Sequence, residues 1–192
     1  RFCSLEHGEF RYYNCRTYKK HEFYPLDPKI EDIDIEDIAH ALSLLCRANG
    51  HFRHFYSVGI HSVNCAKEAI ARGYSERVAL GCLLHDGSEA YLADITRPVK
   101  RHLQKYLEIE EVLQNKIFEK WIPCLTEDEK KLIFEIDDAI LYYEFTNIFE
   151  EKIFDYVPVL KSQPTFDFVD FSIIENEFLS IFYRLSESVN RG

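Results

Sequence analysis

Apolar positions recur at helical spacing along most of the chain. Ile35, Ile38, Ala41, Leu42 and Leu45 lie three and four residues apart and stop before Asn49-Gly50, so a first helix is expected over about 35–48. A second is expected over about 57–71, ending before Gly73, and a third from the N-cap candidate Ser75 to about Tyr91. After a loop through Ile95 to Pro98, a helix should reach about Trp121, where Pro123 intervenes. Thr126-x-x-Glu129 has the form of a capping box and opens a long helix running towards Phe149. Ser172-x-x-Glu175 opens a last helix over 172–190, after an irregular stretch holding Pro158 and Pro164. Residues 1–30 show no such period. Tyr12, Tyr13, Tyr18, Phe23 and Tyr24 give them apolar surface, and Pro25 and Pro28 break the chain before the first helix, which predicts an ordered arm, either a short hairpin or irregular. The fold class expected is all-α.

Length and composition narrow this picture. At 192 residues a single core is the expectation, because one domain of that size buries about 70% of its unfolded surface. We therefore read one domain over 1–192, with an arm over 1–30 and a core over 33–150. A hydrophobic share of 46% excludes a disordered chain. The longest apolar run, Val78 to Leu84, is far short of the roughly 20 residues that a membrane span needs. Cys3, Cys15, Cys46, Cys65, Cys82 and Cys124 include no C-x-x-C pair, and no secretory signal is visible, so reduced thiols and a cytoplasmic location are expected. A net charge of -10 argues against a nucleic-acid backbone as partner and leaves room for a small charged substrate. Charge is uneven: Glu31 to Ile38 holds five carboxylates, whereas Ile95 to Lys105 holds Arg97, Lys100, Arg101 and Lys105 with no acid. That basic stretch can meet a phosphate or simply begin a solvated helix.

Imidazoles and carboxylates together suit a divalent transition metal, which makes His85-Asp86 worth attention. Neighbours on a helix point about 100° apart, so both reach one ion only if it lies between their directions. Further ligands must come from other helices. His61, 24 residues earlier, and Asp137, 51 residues later, are placed to supply them. Alone, a His-Asp pair is a weak signal, and a single His61 is more often a satisfied core or surface histidine than a ligand. The pair, however, directly follows the apolar run Val78 to Leu84, where uncompensated charge is expensive.

His61 within Tyr56-Ser57-Val58-Gly59-Ile60-His61-Ser62, and the stretch Leu83-Leu84-His85-Asp86-Gly87-Ser88-Glu89-Ala90-Tyr91-Leu92-Ala93-Asp94-Ile95-Thr96-Arg97-Pro98-Val99-Lys100, resemble the HD-domain metal-dependent phosphohydrolases. Within that family the chain is most similar to bacterial 5'-deoxynucleotidases and related phage nucleotide hydrolases. Asp37 to Ser43, Cys46 to His51 and Asp137 to Glu144 extend the resemblance over roughly 33–150. It implies an HD-domain helical bundle and one divalent ion (Mn, Co, Zn, Fe, Ni or Mg) held by His61, His85, Asp86 and Asp137. Asp137 is preferred to Asp138 because its spacing to Glu144 fits the family pattern. Glu89, four residues after His85, is the expected acid or base, and Asp94 the residue orienting substrate or water. Arg47, Arg97, Lys100 and His51 are the expected substrate-binding residues, with His54 read instead as fixing a loop. Two positions depart from the family: Ile60 stands where Glu often precedes the first histidine, and Ala48 replaces an aromatic residue, which bears on base recognition. The activity implied is release of phosphate from deoxynucleoside monophosphates. The alternatives are a deoxynucleoside triphosphate triphosphohydrolase, a non-catalytic nucleotide sensor or scaffold, and a structural helical module. A homodimer or other homo-oligomer is also implied, with the aromatic arm as a candidate interface.

Overall fold

The computed structural model describes residues 14–189 and 191. Two short strands, β1 (Cys15–Arg16) and β2 (Glu22–Phe23), pair antiparallel with Cys15 opposite Phe23. The expected hairpin in the arm is therefore present, while Cys3, Tyr12 and Tyr13 lie outside the described residues. It belongs to the core: Phe23 is fully buried and stacks on Tyr91 with ring centroids 4.0 Å apart, Tyr18 stacks on His40, and the Lys19 amide donates to Asp37 at 2.7 Å.

Eight helices follow: α1 (Ile35–Leu44), α2 (Val58–Arg72), α3 (Glu76–Leu84), α4 (Glu89–Leu92), α5 (Arg97–Lys100), α6 (Gln104–Trp121), α7 (Glu127–Glu144) and α8 (Phe171–Val189). The chain is thus predominantly helical. No helix among the described residues is long and apolar enough to cross a membrane. α2 and α3 pack on each other at the centre, α7 lies against both, and α8 covers α1, α2 and α3. Two glycines set the close approaches. A Cβ on Gly59 would lie 3.0 Å from the Ser43 backbone of α1, and one on Gly81 would lie 2.3 Å from Ile133 Cδ1 of α7.

The helix starts follow the caps in the sequence. Ser57 accepts from the Ile60 amide, Ser75 from the Val78 amide, and Thr126 and Glu129 form the reciprocal capping box. Three boundaries differ from expectation. α1 stops at Leu44 rather than near 48, because Leu45 and Arg47 turn to backbone hydrogen bonds with Val58 and Tyr56, after which Ala48 and Asn49 take positive φ. The third helix does not reach Tyr91. Past Leu84 the hydrogen bonds tighten to three-residue spacing, Gly87 amide to Leu84 carbonyl and Glu89 amide to Asp86 carbonyl, before α4 begins. α8 is capped by Asp170, which accepts from both the amide and the hydroxyl of Ser172. At the end of α7 a wider turn over Phe145–Phe149 carries the helix to the expected limit.

The irregular stretch before α8 is fastened by buried polar groups. Glu68, fully buried on α2, accepts from the Lys161 and Ser162 amides, the Ser162 hydroxyl and Arg72, while Asn64 donates to the Thr165 carbonyl. Glu68→Ala strands those donors and is expected to lower unfolding free energy by about 3–5 kcal/mol, read by urea denaturation. Burial opposes ionisation of Glu68, but the Ser162 hydroxyl, Arg72 and the two amides outweigh it and hold its carboxyl below the ordinary value. A folded value below the unfolded one stabilises above the ordinary carboxylate range and is lost as pH falls through the depressed value. Glu68→Gln should therefore flatten the acid limb of a stability profile against pH.

Candidate metal centre

Two imidazoles converge near the middle of the bundle. His61 is fully buried on α2, and its Nδ1 lies 2.6 Å from Glu144 Oε1 of α7. His85, at the end of α3, places its Nδ1 2.8 Å from the Cys82 carbonyl. A carbonyl only accepts, and Glu144 is held below the ordinary carboxylate value because Arg47 and His61 outweigh its burial. Both Nδ1 atoms are therefore the N–H donors. The two Nε2 atoms face each other only 3.2 Å apart, and a ring that gives up its remaining proton to a metal would turn an Nε2 lone pair inward.

Carboxylates complete the cluster. Asp137 Oδ1 lies 3.1 Å from His61 Nε2 and 3.7 Å from His85 Nε2, and Asp86 Oδ2 lies 3.8 Å and 3.3 Å from the same atoms. The donor atoms of His61, Cys65 and His85 fall within 4.8 Å of one another, a group able to hold a metal ion. Arg47 donates to Glu144 and Asp86 and lies 3.9 Å from Asp137. Asp86, Asp137 and Glu144 face two guanidiniums, Arg47 and Arg97, which leaves one negative charge in excess, so the centre favours a cation. Burial and Arg47 oppose charging His61, yet Cys65, Glu144 and Asp137 hold its pKa well above the ordinary value. Asp137 moves well below its own: the two histidines outweigh burial.

The tightened turn after α3 has a direct consequence here. The chain leaves α-helical geometry here, so Glu89 does not share a continuous helix face with His85, and the Asp86 charge acts on its carboxyl. Glu89 is almost fully buried, its Oε2 has no hydrogen-bond partner among the described residues, and Lys100 Nζ is 3.8 Å from its other oxygen. Burial, then Asp86 and Asp94, push its pKa well above the ordinary value. Asp94 is raised as well, by burial first. It follows Ala93, which is held at φ +89° while its carbonyl accepts from the Tyr106 hydroxyl.

These groups border a cavity of about 660 Å³. His85, Asp86, Glu89, Asp94 and Asp137 stand at its polar end with Arg47, Arg97 and Lys100, while Phe118, Phe134, Leu141 and Phe145 line apolar wall. Arg97 is half exposed and bridges Asp137 at 2.7 Å and Asp138 at 2.9 Å. Asp138 thus points to the rim, and Asp137 is the member of the pair that meets the histidines. Lys100 also pairs with Glu110 at 2.6 Å.

His51 is exposed and does not line the cavity, so it is not brought together with the other expected substrate-binding residues. His54 lies 2.9 Å from the Phe166 carbonyl and fixes the loop. From the sequence, Glu144 is expected only to mark the register of Asp137, and Cys65 is not among the expected ligands. The available signal was helical spacing: Cys65 follows His61 by one turn, and Glu144 follows Asp137 by two.

No family model matches the chain. It is 40% identical over 106 residues to the uncharacterized protein YfdR of Escherichia coli, covering 55% of this chain and 57% of that protein. It is 44% identical over 94 residues to an uncharacterized protein of Rhodobacter capsulatus, covering 46% and 47% respectively. The chain thus spans about half the length of these relatives.

Proposed function

We propose that the chain is a metal-dependent phosphohydrolase of the HD-domain type, acting on a deoxynucleoside monophosphate or a similar small phosphate ester. The observation that carries this reading is the meeting of two imidazole Nε2 atoms, 3.2 Å apart, with Asp86 and Asp137 oxygens at the polar end of a cavity. Lone pairs at that separation repel unless a cation or a proton lies between them. The donor set is mixed nitrogen and oxygen, which fits a divalent transition metal. His61, His85, Asp86 and Asp137 would hold such an ion, which would supply Lewis-acid chemistry at a phosphate ester.

The chain's own residues supply the rest. Glu144 and the Cys82 carbonyl fix both imidazole tautomers and aim the rings. Arg97 and Lys100, at the cavity mouth, exchange carboxylate partners for phosphate oxygens and neutralise the charge that builds on them. Glu89 holds a proton close to the leaving oxygen and delivers it as the ester bond breaks. Asp94 orients the substrate or the attacking water. The apolar wall shields the non-reacting part of the substrate from water.

The test is release of phosphate and of triphosphate from a panel of deoxynucleoside mono- and triphosphates with Mn, Co, Zn or Mg, against a chelator control. Chelator-sensitive phosphate release is expected from the monophosphates. Triphosphate release would replace the substrate while keeping the class, and no turnover of any nucleotide with any of these ions would overturn the reading.

A further inference from the structure

Resting on the metal reading above, we infer that Cys65 is an additional donor at this centre and makes it selective for thiophilic ions over Mg and Mn. Cys65 is one turn after His61 on α2, so both side chains leave the same face. Its Sγ lies 3.5 Å from His61 Nε2, on the inward side of that ring, within the group that includes His85. A buried cysteine is often only a small apolar residue, and Cys82 on α3 is such a case, with no side-chain hydrogen bond among the described residues. Cys65 differs in that its sulfur lies beside the two converging Nε2 atoms.

Coordination replaces the thiol S–H bond by a sulfur–metal bond, and the proton leaves to solvent. A sulfur donor beside imidazoles and carboxylates moves preference towards Zn, Co, Fe or Ni, because hard Mg and Mn gain little from thiolate.

The experiment loads the full chain, stripped by chelator, with cobalt(II) alone and records its absorption spectrum. The wild type should show visible d–d bands of a low-coordinate site together with a near-ultraviolet thiolate-to-cobalt charge-transfer band. In Cys65→Ala and Cys65→Ser the charge-transfer band should vanish while the d–d bands persist. Zinc affinity should fall at least roughly tenfold in both variants, the smaller loss seen when even an outer partner of a ligand is removed, with Mn affinity unchanged. Far-ultraviolet circular dichroism checks that both variants fold. Cobalt d–d bands without a charge-transfer band in the wild type would overturn the role of Cys65 and leave the metal centre standing. No cobalt uptake at all would overturn both.

Discussion

Glu89→Gln is expected to lower kcat for phosphate release by about 100- to 10,000-fold while nucleotide and metal binding survive, which corresponds to about 3–5 kcal/mol of transition-state stabilisation. The substitution keeps the shape of a side chain that is buried and has one oxygen without a partner among the described residues. What it removes is a transferable proton. The carboxyl is enclosed between Asp86 and Asp94, whose charges add to burial in keeping it protonated. Equilibrium dialysis with a nucleoside monophosphate, beside single-turnover kinetics, separates loss of chemistry from loss of binding. Undiminished turnover would remove Glu89 from the mechanism; loss of binding together with turnover would make it a structural or substrate-binding group.

Asp137→Ala should abolish metal-dependent turnover, a loss of at least about 1,000-fold if the ion contributes several kcal/mol. Asp138→Ala should keep most of the activity. The two carboxylates are adjacent in sequence, yet Asp137 lies within 3.7 Å of both Nε2 atoms whereas Asp138 meets Arg97 at the rim. Elemental analysis of the two purified variants gives a second readout. Metal retained by Asp137→Ala and lost from Asp138→Ala would reverse the assignment.

Much of the bundle is legible in the chain because its helices begin at strong local signals. Ser57, Ser75 and Thr126 cap where their side chains predict, and Gly73 ends α2 at φ +75°. What local pattern misses is decided by longer contacts. Nothing between Leu45 and Arg47 announces that the chain leaves the helix ahead of Asn49-Gly50, since the cause is pairing with residues 56–58. Likewise the apolar pattern runs unbroken through Leu84, and only the tightened hydrogen bonds reveal that the helix is interrupted between His85 and Glu89. The histidines and Asp137 were legible through a family resemblance, whereas Cys65 and Glu144 needed the packing of α2 on α7. His51 stands apart from the cavity wall, and in sequence an exposed loop side chain near a motif looks the same as one that lines the cavity.

The donors stand on α2, at the end of α3 and on α7, with 24 residues from His61 to His85 and 51 from Asp86 to Asp137. No short stretch of unfolded chain can gather them. The full donor set is consequently gathered by the native state alone, so an ion it holds binds the native state more tightly than the denatured one, which couples occupancy to the folding equilibrium. At a free concentration of one hundred times Kd that coupling contributes about 2.7 kcal/mol. Metal supply would then regulate how long the molecule survives as well as how fast it turns over.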